Sequence, residues 1–149
     1  MRDDEFTAWL PRMRVDYADA MSRDGGVPEE LARTKADADI AAVFPGDRPS
    51  PDQSVFVLEV DGELVGELRV AERTGGDLRG ALWIFDVRIE EPHRGRGYGR
   101  EAMLHAEAEA KRRGLDRIAL NVFGRNEVAR NLYRSLGYEE NAVMMGKTF

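Results

Sequence analysis

Residues 93–99, HRGRGYG, put three glycines and two arginines into seven positions, just after the apolar run ALWIFDVRI and directly before helix-forming residues. Consecutive backbone N–H groups at the start of a helix can converge on an anion, and glycines let a phosphate approach without a Cβ in the way. Phosphate binding is therefore the chemistry this spacing offers; the plain alternative is a tight turn. A Walker loop needs GxxxxGK[ST], and GRGYGREA has no such lysine. A dinucleotide fingerprint, GxGxxG, fails at Arg100. The second chemical feature is Asp86, a carboxylate inside LWIFDVRI, where a buried charge is costly unless it is paired or used. Glu67 occupies a similar place on the preceding apolar segment, whereas His93 reads as loop and His105 as helix surface.

These groups need elements to hold them. Phe6, Trp9, Leu10, Met13 and Tyr17 recur at spacings of three and four, which predicts a helix over 3–22, with Asp3, Asp4 and Glu5 at its positive end. Pro28 opens a second helix that Pro45-Gly46 stops, and 45–53 is a proline-rich loop. Strands over 54–60 and 63–71 flank Asp61-Gly62, a pair suited to a type I′ hairpin turn. A third strand spans about 80–90, and 98–114 is a helix with basic residues in its last turn. A strand at 117–123, a helix capped by Asn126 and closing at Gly137, and a final strand at 138–149 complete the chain. The strand, helix, strand order from 80 to 123 predicts a right-handed parallel crossover, and so a mixed sheet with helices on both faces.

Composition narrows the function classes. The chain has 149 residues, 42% of them hydrophobic, which suits a single domain over 1–149 burying roughly 68–70% of its unfolded surface. It has no cysteine, which excludes disulfides, thiolate metal ligands and a cysteine nucleophile, and two isolated histidines are a poor basis for a metal site. MRDDEFTAWL lacks the basic and apolar regions of a leader, and no apolar run approaches the ~20 residues that span a bilayer, so a cytoplasmic protein without membrane contact is expected. The net charge of −6 divides unevenly: residues 1–93 carry 11 basic and 21 acidic residues, and 94–149 carry 11 and 7. The basic part begins at the glycine turn and suits an anion, while the acidic part suits a cation. A chain this acidic is a poor match for nucleic acid.

Together, Arg94-Gly95-Arg96-Gly97-Tyr98-Gly99 and the later NEVARNLYRSLGY, with Asn126, Ala129, Leu132-Tyr133 and Leu136-Gly137-Tyr138, resemble the two signatures of the GNAT N-acetyltransferase family. The likeness runs along nearly the whole chain, and the paired N-terminal helices and closing AVMMGKTF are similar to its YycN-like bacterial branch. The resemblance implies an α/β fold of the α+β kind: a mixed, mostly antiparallel sheet splayed at a central parallel pair. It implies a site for acetyl-coenzyme A as cosubstrate, with no metal. The backbone of Val87, Arg88 and Ile89 would pair with the pantetheine arm, and the amides of Gly95 to Arg100, led by Arg94, would bind the pyrophosphate. Asn126 would contact the coenzyme, or serve only as a cap. Tyr133 would protonate the leaving thiolate, or serve only as a core aromatic. The implied reaction is direct attack of an amine on the thioester, with a general base among Asp86, Glu67 and bound water, and Asp86 the first choice.

Two departures from the family pattern stand out. Asn121 replaces the glutamate that acts as base in the members that acetylate a ribosomal protein's N-terminus, which disfavours that substrate. Family domains also usually open with a strand, for which MRDDEF leaves little room. The expected acceptor is a primary amine of a small molecule or peptide, a cationic one suiting Asp16, Asp19, Asp37, Asp39 and Asp47; a homodimer is the expected assembly if any. The rival reading is a catalytically silent acyl-coenzyme A sensor.

Overall fold

The computed structural model describes residues 1–48, 50–143, 145 and 147. The apolar stripe of the first helix, α1 (Asp3–Arg23), cannot stay in water, and it is buried against α2 (Glu29–Val43). Phe6, Trp9, Leu10, Met13, Ile40 and Phe44 form that contact, with the Phe6 and Trp9 ring centroids 5.2 and 5.8 Å from Phe44.

Four strands follow, β1 (Ser54–Val60), β2 (Glu63–Glu72), β3 (Ala81–Ile89) and β4 (Arg117–Leu120), and they lie in the order β1-β2-β3-β4. The first three are antiparallel and β3 pairs with β4 in parallel. Asp61 and Gly62 both have positive φ, 54° and 80°, as the two-residue hairpin turn requires. The crossover from β3 to β4 carries α3 (Tyr98–Arg112), and α4 (Glu127–Ser135) follows β4. The mixed, mostly antiparallel sheet, its parallel pair and its flanking helices are those expected from the sequence; among the described residues that pair is β3 with the edge strand β4.

Strand alternation sorts β2 into two faces. Leu68 and Val70 join Leu82, Ile84, Met103, Ala106, Ala110 and Tyr133 in the core under α3 and α4. Glu67 and Arg69, on the opposite face, meet α1 and the end of α2: Arg12 pairs with Glu67, and the Arg69 guanidinium lies over Phe44.

The end of the chain is less regular than its sequence pattern predicts. The strand expected over 117–123 stops at Leu120, because β3 and β4 pair only from Ala81↔Arg117 to Ile84↔Leu120 and Asn121 to Phe123 have no strand opposite them. The strand expected over 138–149 is absent from residues 138–143, 145 and 147, which are irregular. Residues 144, 146, 148 and 149 of that expectation lie outside the described residues.

Candidate active site

β3 outlasts its parallel partner by five residues. One edge of Val87, Arg88 and Ile89 pairs with Leu68, Glu67 and Gly66 of β2; past Ile84 the other edge has no strand partner among the described residues. Open peptide groups at this edge can pair with an extended ligand as a further strand would.

The glycine turn lies just beyond. Gly95 and Gly97 have φ of 75° and 93°, and Gly97 is the left-handed N-cap of α3. Arg100 and Glu101 donate their amides to the Gly97 carbonyl at 2.9 and 3.2 Å. The amides of Gly95, Arg96, Gly97, Tyr98 and Gly99 have no partner among the described residues. Five unengaged donors at a helix start, beside an open strand edge, are what a diphosphate on an extended arm needs. The Arg100 amide, counted with them in the sequence reading, is already bonded inside the helix.

The arginine side chains of this segment mainly fasten it. Arg94 Nε donates to the Ile89 carbonyl at 3.0 Å, tying the turn to the end of β3, and Arg100 Nη2 donates to Ser135 Oγ at 2.6 Å, tying α3 to α4. Arg96 is exposed and has no side-chain partner among the described residues. At Gly99 a Cβ would lie 3.3 Å from Leu132 Cδ2, so a bare backbone lets the first turn of α3 sit close on α4. Asn126 caps α4, its Oδ1 accepting from the Ala129 amide at 3.1 Å. Its side-chain NH₂ is uncommitted among the described residues, so the cap leaves the coenzyme contact open.

The two candidate bases have opposite surroundings. Glu67 is buried and held by Arg12 Nη2 and Arg88 Nη1, the latter at 3.4 Å. Arg88 also meets Glu90 at 2.6 Å and Asp16 at 2.9 Å, and Arg12 meets Glu90 at 3.1 Å. A carboxylate bridging two guanidiniums is a poor proton acceptor, and Glu67 reads as the link between α1 and the sheet. Asp86 has no ion pair within salt-bridge distance among the described residues. It is partly open to solvent, yet burial of its carboxyl pushes its pKa from 3.8 up to about 6, against the pull of Arg69; Asp16 adds to the rise. A carboxylate titrating there is poised to take a proton near neutrality.

Tyr133, on α4, is buried, with its ring 6.0 Å from that of Tyr138. Burial, helped by the Asp86 charge, pushes its phenol up to about 12, so the hydroxyl is protonated at neutral pH and available as a donor. Tyr133 and Asp86 thus approach from opposite faces of the sheet, near enough for one to feel the other's charge.

Two further neighbours, Arg69 and Phe85, were not singled out in the sequence, and Asp16 was named there only among the acids that would suit a cationic amine. Arg69 and Phe85 lie beside Asp86, and Asp16 reaches it from α1. Arg69 carried a signal, a second charge two residues after Glu67 in the apolar strand ELVGELRVA; Phe85 carried none. The acids of the helix pair are mostly engaged: Asp37 and Asp47 with Arg14, Asp39 with Lys35 and the Tyr17 hydroxyl, Asp16 with Arg88. Asp19 is exposed. Among the described residues no group of three or more His, Asp or Glu could hold a metal ion, and no helix is long and apolar enough to cross a membrane.

Known proteins resemble this chain in sequence and in fold. The profile of the Acetyltransferase (GNAT) family matches residues 13–138. The chain is 27% identical over 148 residues to the uncharacterized N-acetyltransferase YycN of Bacillus subtilis (strain 168), spanning 99% of this chain and 94% of that one. The YycN crystal structure is similar at a TM-score of 0.89, with 26% identity over 100% of this chain and 95% of that one. Streptothricin acetyltransferase of Streptomyces lavendulae is 32% identical over 119 residues, 72% of this chain and 61% of that one. The aminoglycoside N-acetyltransferase AAC(6')-Iy, solved in complex with CoA, shares the fold at a TM-score of 0.58 and 17% identity, over 78% of this chain and 87% of that one.

Proposed function

The chain belongs to the GNAT acetyltransferase family, and from that premise we propose that it transfers an acetyl group from acetyl-coenzyme A to the primary amine of a small molecule, by direct attack within a ternary complex. The observation that carries this reading is the run of five unengaged amides from Gly95 to Gly99 beside the open edge of β3. Those amides would bind the diphosphate, the Val87–Ile89 backbone would align the pantetheine arm, and Asn126 would add a side-chain donor from the start of α4.

The chemistry then falls to two side chains. An alkylamine is almost fully protonated at neutral pH and must lose a proton to attack. Asp86 accepts that proton and passes it to solvent, and the freed lone pair of the nitrogen then bonds to the thioester carbonyl carbon. When the tetrahedral species collapses, the carbon–sulfur bond breaks and Tyr133 donates a hydrogen bond, and then its proton, to the departing sulfur. The second proton lost by the nitrogen returns through solvent to the Tyr133 oxygen. A phenol pushed up to about 12 holds its proton more firmly than a thiol that ordinarily ionises near 8.5. Its stabilisation of the thiolate therefore precedes transfer. Glu67 has no part in the chemistry.

For the acceptor we propose a cationic amine, entering from the α1 side, where the Asp16 and Asp86 charges are felt together. The test is thiol release from acetyl-coenzyme A across a panel of primary amines, with wild type beside Asp86→Asn and Tyr133→Phe. Transfer to a panel amine, lost in both variants, supports the reading. Saturable coenzyme binding with no transfer to any amine overturns it in favour of a sensor. An Asp16→Asn variant with unchanged KM for a cationic panel amine sinks the cationic preference.

A further inference from the structure

Arg69 stands opposite Asp86 in the β2–β3 register, where β3 bulges so that Phe85 and Asp86 both face the single residue Arg69. Its guanidinium carbon is 4.7 Å from the Phe85 ring centroid and 5.6 Å from that of Phe44, and 8% of the residue is exposed. Nε and Nη1 are buried without a hydrogen-bond partner among the described residues. Buried arginines ordinarily commit such groups to a carboxylate or a carbonyl. This one does not, although a carboxylate lies across the strand pair. Glu67, on the same face, is the contrast, since Arg12 and Arg88 engage it directly.

We propose that Arg69 is a positioning residue for the general base: a cation clamped between two aromatic rings, which sets its charge facing Asp86 while leaving the carboxylate oxygens open to the incoming amine proton. The inference rests on Asp86 being the base. An arginine hydrogen-bonded to the base would hold its lone pairs, and a base with no cation near would keep its proton. A charge held by ring stacking rather than by hydrogen bonds avoids both outcomes.

The other groups facing Asp86 do not replace Arg69. Asp16 on α1 disfavours its charge, the Val87 amide favours it weakly, and Tyr133 on α4 is neutral at working pH. Arg88 on β3 favours it less than Arg69 does, being already engaged by Asp16, Glu67 and Glu90.

The test is an NMR titration of the ¹³C-labelled Asp86 carboxyl in wild type, Arg69→Met and Arg69→Lys, which needs no acceptor. The midpoint should rise by about 1–3 pH units in Arg69→Met, the range an adjacent opposite charge produces, and stay close to wild type in Arg69→Lys. An unmoved midpoint in folded Arg69→Met overturns the proposal. If Arg69→Met does not fold, the wild-type Arg69 Nε–H resonance decides: it should titrate with the Asp86 midpoint, and a flat response overturns the proposal. Transfer to the fastest panel amine separates this inference from its premise. Asp86→Asn should be slow at every pH, whereas Arg69→Met should recover to within about threefold of wild type once the pH exceeds its raised midpoint. Full activity in Asp86→Asn removes the premise; a slow Asp86→Asn beside an unshifted Arg69→Met profile removes only the inference.

Discussion

Glu67 and Arg88 are cross-strand partners in the β2–β3 register, and their side chains meet at 3.4 Å, with Arg12 of α1 closing on the same carboxylate. This contact fixes α1 against the sheet two register positions from Asp86. The ion pairs therefore set the shape of the acceptor side without entering the chemistry.

Glu67→Gln should consequently be a stability variant. Removing one partner of a buried pair leaves uncompensated charge and costs about 3–5 kcal/mol, moderated here because Arg12 and Arg88 keep Glu90, and Arg88 keeps Asp16. A loss of roughly 2–4 kcal/mol is expected by urea denaturation, with kcat per folded molecule within about threefold of wild type. A large loss of kcat at unchanged stability would return Glu67 to the list of bases.

Asp86 should show the reverse trade. Its folded carboxyl titrates near 6 against an ordinary 3.8, so the charged form is the disfavoured one. The stability linked to this group is complete below about pH 4 and is lost as pH rises through 6. Asp86→Asn cannot ionise, so at pH 7.5 it should be more stable than wild type by roughly 1–3 kcal/mol, with the gap closing below pH 4. Activity should run the other way, wild-type kcat/KM falling below pH 6 and the variant slow throughout. Thermal melts and pH profiles on the same samples check both halves.

Tyr133→Phe isolates the hydroxyl, because the ring stays in the core beside Tyr138. We expect kcat to fall about 100-fold, as for loss of a positioned proton donor, with little change in melting temperature or in acetyl-coenzyme A affinity. Unchanged kcat would make Tyr133 a core aromatic.

Asn126 has two separable roles. Asn126→Asp keeps an oxygen to accept from the Ala129 amide, now 3.1 Å away, but loses the NH₂ and gains a charge facing an anionic ligand. Stability should hold within about 0.5 kcal/mol while coenzyme affinity drops at least tenfold. Asn126→Ala should lose both, including about 1 kcal/mol of helix capping. Calorimetric titration with coenzyme A and melts of the two variants separate the roles.

The order of elements was legible because each break carries a local signal: Asp61-Gly62 at the hairpin, Pro45-Gly46 after α2, Gly97 at the start of α3 and Asn126 at α4. The glycine turn was legible for the same reason, since a left-handed backbone and close approach leave few residue choices. The chain alone put Asp86 ahead of Glu67 without separating their surroundings. Both are acids in apolar strands, and what separates them is which arginines α1, β2 and β3 bring to each. The Phe85 bulge was equally hidden, because an extra residue in one strand shows only against its partner. The overlong strand at 117–123 has the same origin: Val122 and Phe123 favour a strand, but pairing with β3 ends at Leu120.

Gly97→Ala tests the anion site itself. Gly97 sits at φ +93° with nothing within 4 Å of an added Cβ, so the substitution acts through backbone conformation alone. Leaving the left-handed region would swing the amides of Gly95 to Gly99 out of convergence, and staying there costs roughly 1–2 kcal/mol. Coenzyme A at a hundredfold excess over its wild-type Kd should stabilise wild type by about 2.7 kcal/mol. A tenfold loss of affinity in Gly97→Ala cuts that gain by about half at the same concentration. Gly75→Ala, also in open space but with no left-handed requirement, should keep the full gain. If the two variants respond alike to coenzyme A, the turn is a tight corner and the diphosphate binds elsewhere.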